Sequence, residues 1–236
     1  MMEIKPIAYY RSQLTTKFGV PRQSGLVPEL VGLIVFEPEY ANADALRGID
    51  GFDYLWLIWE FSLNGKKEGE WSALVRPPLL GGNEYVGVFA TRSPFRPNAL
   101  GLSSVRLLGV EDGRDGLALV VAGADLVDGT PIYDIKPYVE YADAHVGVRS
   151  GFVDEKRWQK VEVRFPTELR TCFSDKDFSA LCKVLELDPR PQYHNDPERV
   201  YGMPFAGRDV RFRVSGEGVL EVIDVKAESR NVKADI

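Results

Sequence analysis

"SSVRLLGVEDGRDGLALVVAGADLVDGTPIYDIKPYVEY", residues 103–141, is where the fold is most readable. Three runs of β-branched, aliphatic and aromatic residues are separated only by short breaks bearing Gly, Asp and Pro, with no room for a helix between them. The same grammar extends backwards. "YVGVFA" (85–90), the strongly apolar Tyr54–Phe61, "LVGLIVFEP" (30–38) and "EIKPIAYYR" (3–11) all read as strands ending at turn formers. A short helical stretch, capped by Asn42 or Asp44, leads into Tyr54. Strands at such spacing predict a β-barrel or sandwich, not a βαβ sheet.

From about Asp143 the character changes. Residues 161–188 hold one strand and then a helix in which Phe178, Leu181, Cys182 and Leu185 recur at helical spacing before Pro189 stops it. "DVRFRVSGEGVLEVIDV" (209–225) reads as a hairpin turned at Gly216–Gly218. The expectation is a mainly β chain: residues 1–142 an all-β domain, residues 143–236 a smaller α+β domain with a polar, frayed tail after Ala227.

Bulk properties narrow the function classes. The 236 residues are 44% hydrophobic and 27% charged, ordinary for a core-forming protein. No run of about 18 apolar residues suggests a membrane span, and the N-terminus lacks a signal-peptide core. Two cysteines, Cys172 and Cys182, and two histidines lack metal-ligand spacing, so no metal is expected, and the thiols suit a reducing cytoplasm. A net charge of −6 argues mildly against a chain that coats nucleic acid, although one basic patch is compatible with it. Dinucleotide-binding glycine fingerprints, a P-loop, a nucleophile elbow and a Cys/His nucleophile arrangement are all missing from the sequence.

Four loops carry the chemistry: "KFGVPRQSGLV" (17–27), "VRPPLLGGN" (75–83), "GVFATRSPFRPNALGLS" (87–103) and "ADLVDGTPIYDIKPY" (124–138). Each joins a strand to a segment stiffened by Pro, opened by Gly and supplied with Arg, Asp, Asn or Lys. Singly, each also reads as a plain turn or strand terminator, and Asp134 with Lys136 as a surface ion pair on one strand face. Four together point to a shared site at one end of the β domain.

Taken in order, "VPRQ", "VRPPLLGGN", "GVFATRSPFRPNALGLS" and "DLVDGTPIYDIKPY" resemble the TsaA/YaeB family, the TrmO tRNA methyltransferases. The resemblance spans roughly Ile4–Tyr141, and "LDPRPQY" with "VYGMPFAGRDVRFRV" extends it to the C-terminal part. It implies a small, non-Rossmann β-barrel that binds S-adenosylmethionine, dimerises with the cofactor near the subunit interface, and methylates N6 of threonylcarbamoyl-adenosine at tRNA position 37. By motif match, the cofactor residues would be Pro21, Arg22, Gln23, Phe61, Ser62, Arg92, Leu102, Leu126, Val127, Asp128 and Gly129.

The chemistry fits these types. Arginine clamps a carboxylate bidentately, a tight Asp-Gly turn offers backbone groups to an adenine edge, and apolar residues cover its faces. Methyl transfer mainly needs alignment and exclusion of water. Asp134 or Tyr138 is the expected proton acceptor, with Lys136 orienting the carbamoyl or threonyl group. Arg96 and Asn98 in the rigid loop, and Arg190, Tyr193, Arg211 and Arg213 in the C-terminal part, are expected to hold the tRNA anticodon stem-loop. Two other readings stay open: a cofactor-binding regulator or RNA-binding adaptor without turnover, and a methyltransferase acting on a small molecule.

Overall fold

A computed structural model of the chain describes residues 3–64, 71–114, 116–156, 158–191 and 196–228. Strands β1 (Ala8–Arg11), β2 (Val31–Phe36), β3 (Tyr54–Glu60), β4 (Leu74–Val75), β5 (Val86–Gly87), β6 (Leu100–Gly113), β7 (Gly116–Ala122) and β8 (Pro131–Pro137) come first. Six of them close into an antiparallel barrel in the order β1-β2-β7-β6-β3-β8. Period-2 alternation drives the closure: Leu55, Leu57 and Trp59 of β3 point into the barrel core beside Tyr10, Ile34, Leu119 and Ile132. Two glycines make room for rings. Gly101 faces Trp59 across the β3–β6 ladder, and Gly32 lies against Tyr10; a Cβ at either would overlap the ring.

β4 and β5 form a separate two-stranded ribbon outside the barrel. The expected strand over 85–90 therefore shrinks to Val86–Gly87 followed by a 3-10 turn at Val88–Ala90. Within that turn Val88 is buried while Phe89 is 73% exposed. Upstream of β3, the helical stretch is two 3-10 turns, and Asn42 is the cap, its side chain accepting the Asp44 N–H at 2.9 Å.

The remaining elements are single-turn helices α1 (Glu140–Asp143), α2 (Phe152–Glu155) and α3 (Thr167–Arg170), helix α4 (Asp175–Glu186), and strands β9 (Glu162–Arg164), β10 (Tyr201–Phe205), β11 (Arg208–Val214) and β12 (Val219–Ala227). The strands form a second sheet, β10-β11-β12-β9, with β9 parallel to β12. Ser174 caps α4 by accepting the Asp177 N–H at 3.1 Å. Leu181, Val184 and Leu185 of α4 pack with Met203, Phe205, Val210 and Phe212 of the sheet. This second core also takes Leu14, Val27 and Leu30, and Phe18 and Val20 pack against it. The segment between β1 and β2 is thus rooted in the barrel at both ends but packed on the C-terminal sheet in its middle. That arrangement positions the site.

Candidate active site

At one end of the barrel the β1–β2 segment, the β3 end and the 87–99 loop enclose a cleft of about 520 Å³. The 87–99 loop is held from within. Thr91 donates its hydroxyl to the Val88 carbonyl at 2.9 Å, and Arg96 donates to the carbonyls of Thr91 (3.0 Å) and Ser93 (3.1 Å). Rigidity fixed by Pro94, Pro97 and this internal clamp lets Arg92 reach across the cleft and donate to the Gln23 side-chain oxygen. Two walls far apart in sequence are thereby tied together.

A buried polar chain forms the floor. Trp59 Nε1–H donates to Ser103 Oγ at 2.9 Å, and Ser103 donates to Asp125 Oδ1 at 2.6 Å. Trp59 stacks edge-on against Phe61 with centroids 4.3 Å apart. Burial raises the Asp125 carboxyl above the ordinary carboxylate range; the Ser103 hydroxyl, its own N–H, the charge of Arg92 and the Ser24 N–H offset part of that. Asp125 is absent from the residues that motif matching supplied. Its only sequence signal is a lone acid following the apolar run "LALVVAGA".

Of the expected cofactor residues, Pro21, Arg22, Gln23, Phe61, Ser62, Arg92, Leu102 and Val127 line this cleft, as does Arg96. Leu126 lies in the barrel core instead. Asp128 accepts the Ser12 N–H at 3.0 Å, and Gly129, at φ +78°, donates to the Tyr10 carbonyl at 2.8 Å. These residues shape the turn beneath the cleft. Asn98 is exposed and lies off the cleft lining.

Arg22 has a second engagement. Its guanidinium donates to the carbonyls of Leu187 (2.6 Å) and Asp188 (2.7 Å) at the C-terminal end of α4, and lies 3.7 Å over the Trp158 ring. Burial lowers its pKa, and Asp188 pulls it back up. Asp188 takes φ +50° just past α4 and receives Arg190 Nε at 3.0 Å on both oxygens. A smaller cavity of about 240 Å³, lined by Trp158, Leu187 and Arg190, lies on the other side of Pro21 and Arg22.

The expected catalytic trio sits on the outer barrel face. Asp134 and Lys136 form a 3.0 Å ion pair with both side chains exposed, and neither lines the cleft. Tyr138 packs 5.7 Å from Trp56, which does line it and which donates to Asp143 at 2.9 Å. Arg211 pairs with Asp209 at 3.1 Å and Arg213 with Glu221 at 3.1 Å on the second sheet, away from the cleft. Tyr193 falls outside the described residues. Among the described residues no group of three His, Cys, Asp or Glu side chains could hold a metal ion.

The family model for the tRNA-methyltransferase O N-terminal domain matches residues 9–144, and that for the TrmO C-terminal domain matches residues 158–228. The chain belongs to the tRNA-methyltransferase O family. It is 38% identical over 224 residues to the tRNA (adenine(37)-N6)-methyltransferase of Escherichia coli K12, covering 92% of this chain and 94% of that one. A Pseudomonas aeruginosa relative, whose name includes S-adenosylmethionine-dependent methyltransferase, is 38% identical over 229 residues, 94% of this chain and 96% of its own. The crystal structure of TrmO from Pseudomonas aeruginosa superposes with a TM-score of 0.77 at 31% identity, over 96% of this chain and all of that one. The mainly β architecture is thus shared with that solved structure.

Proposed function

We propose that this chain transfers a methyl group from S-adenosylmethionine to N6 of the adenosine at tRNA position 37, with threonylcarbamoyl-adenosine as the acceptor. The observation that carries the reading is the cleft at the barrel end in a chain that belongs to this family. The residues present suit the donor's chemistry. Arg92, anchored by Gln23, suits a carboxylate, and Leu100, Leu102 and Val127 suit the faces of an adenine. Asn64, at the same cleft, buries an Nδ2 donor that has no partner among the described residues; a buried donor left unpaired is costly, and a ligand acceptor there relieves it.

When bound, S-adenosylmethionine supplies a methyl group already activated on a sulfonium. This chain's residues then align and exclude water. Gln23 and Arg92 bridge the cleft walls, Arg96 keeps the 87–99 loop rigid, and Trp59 and Phe61 close the floor. On the outer face Trp56 links the cleft rim to Tyr138, so we read Lys136 and Tyr138 as contacts for the acceptor's carbamoyl or threonyl group. Asp134 is the residue we assign to the N6 proton; normal turnover of Asp134→Asn with donor bound would remove that assignment.

Leu74, Tyr85, Phe89, Leu102, Leu108 and Val110 are exposed. Large apolar side chains left exposed in this way are ones a homodimer would cover. The tRNA substrate puts the enzyme's work in the cytoplasm, in keeping with two free thiols and with no described helix being long and apolar enough to cross a membrane.

The test is methyl transfer from labelled S-adenosylmethionine to total tRNA from a strain lacking the endogenous activity, read by nucleoside mass spectrometry. The expected product is methylated threonylcarbamoyl-adenosine. Donor binding without incorporation would favour a regulator.

A further inference from the structure

We infer that Asp125 reads the positive charge of the methyl donor, facing its sulfonium rather than its ammonium. The inference rests on the proposal that the cleft binds S-adenosylmethionine. Among the described residues, two carboxylates line the cleft, Glu60 and Asp125. Glu60 stands at the rim and already accepts the Tyr133 hydroxyl at 2.5 Å. Asp125 is on the floor, fixed by Ser103, which is in turn fixed by Trp59.

The hydrogen bonds decide which cation suits it. A carboxylate offers about four acceptor positions. The Ser103 hydroxyl donates to Asp125 Oδ1 at 2.6 Å and fixes the carboxylate in place, and the nearby Ser24 and Asp125 N–H groups favour its charged form. An ammonium brings three N–H donors that each need an acceptor. A sulfonium brings charge and no donor, and suits a carboxylate that a hydroxyl already holds in one orientation. The Trp59–Phe61 ring pair stands beside the same floor, and aromatic faces attract cations without needing a donor. Arg92 is the nearest countercharge but is held away by Gln23, so no described side chain forms an ion pair with Asp125. Burying a carboxylate without a close counterion is unfavourable, and a ligand cation completes the site.

The experiment is calorimetric binding of S-adenosylmethionine and S-adenosylhomocysteine, which share every group except the charged sulfur and its methyl. Wild-type chain that binds neither overturns the reading of the cleft, and this inference with it. Given wild-type binding, Asp125→Asn is expected to weaken S-adenosylmethionine roughly tenfold or more while S-adenosylhomocysteine stays within about threefold. An equal loss for both ligands, or none for either, overturns it. Should the variant not fold, the wild-type chain carries the test: the affinity of S-adenosylmethionine relative to S-adenosylhomocysteine falls as the pH is lowered and Asp125 takes up a proton. The charged and titratable groups that interact with Asp125 are Arg92 and Tyr10, with Glu60 in the same cleft. A ratio that does not change as the pH is lowered overturns the inference.

Discussion

Arg22→Ala removes a side chain that joins the cleft wall to the end of α4 by charged hydrogen bonds. Lost are donors to Leu187 O at 2.6 Å and Asp188 O at 2.7 Å, and the stack 3.7 Å over Trp158. A hydrogen bond from a charged group contributes about 1.5–3 kcal/mol, and a partly exposed cation–π contact about 0.5–1 kcal/mol. The sum overstates the effect, because Arg22 is only half-buried and water can solvate the freed carbonyls. About 2 kcal/mol remains, which corresponds to roughly 30-fold more frequent opening of this contact. Hydrogen–deuterium exchange reads it directly. Amides near Leu187 and Asp188, and those of the Val20–Gln23 loop, are expected to exchange roughly 30-fold faster in the variant, while those of β7 keep their wild-type rates. Arg22→Lys is expected to be intermediate, since an ammonium cannot fork across two carbonyls. Exchange at both segments within about twofold of wild type would refute the reasoning.

Gly101→Ala drives a methyl into the Trp59 ring, with backbone on both sides of the β3–β6 ladder. It is expected to cost about 1–3 kcal/mol or more, seen as a lower urea midpoint. Tyr133 is pushed up to about 12, first by partial burial and then by Glu60, so its folded pKa lies above the unfolded value of about 10. The stability this confers is fully present below about pH 10 and lost as pH rises through about 12; Tyr133→Phe should flatten that part of the urea-midpoint profile, and a profile unchanged by the substitution counts against the pairing. Asp209→Asn frees Arg211 from its 3.1 Å partner. If Arg211 contacts phosphate, tRNA binds the variant more tightly and with a steeper salt dependence, whereas Arg211→Glu weakens it; unchanged affinity in both would remove this arginine from the interface.

The barrel was legible because its strands alternate. Leu55, Leu57 and Trp59 face inward between outward-facing neighbours, and the closing ladder follows from that period. Where the pattern lapses, the reading strays. Residues 85–90 are apolar without alternation and give one ribbon strand and a 3-10 turn. β10 went unread because Gly202 and Pro204 mask it; Pro is tolerated there because β10 is the sheet's edge. The α4 helix and the hairpin of β11 and β12 follow their local signals closely, since caps, Pro189 and a Gly-rich turn act over a few residues.

The site divides along the same physical line. Prolines and glycines around Arg92 and Gln23 announced a rigid polar loop, and those residues do wall the cleft. Asp125 was invisible because a lone acid after a strand-like apolar run is ordinary turn chemistry. Only barrel closure brings Ser103 and Ser24 onto it and strips its water. Arg22 illustrates the limit more sharply. Its partners are backbone carbonyls 165 and 166 residues away, and a carbonyl carries no residue identity that a sequence could advertise. A motif can name an arginine at a cleft without revealing that its charge also caps a distant helix. In this chain one guanidinium borders the cleft and anchors the C-terminal helix, so the cleft wall and the C-terminal unit cannot move independently.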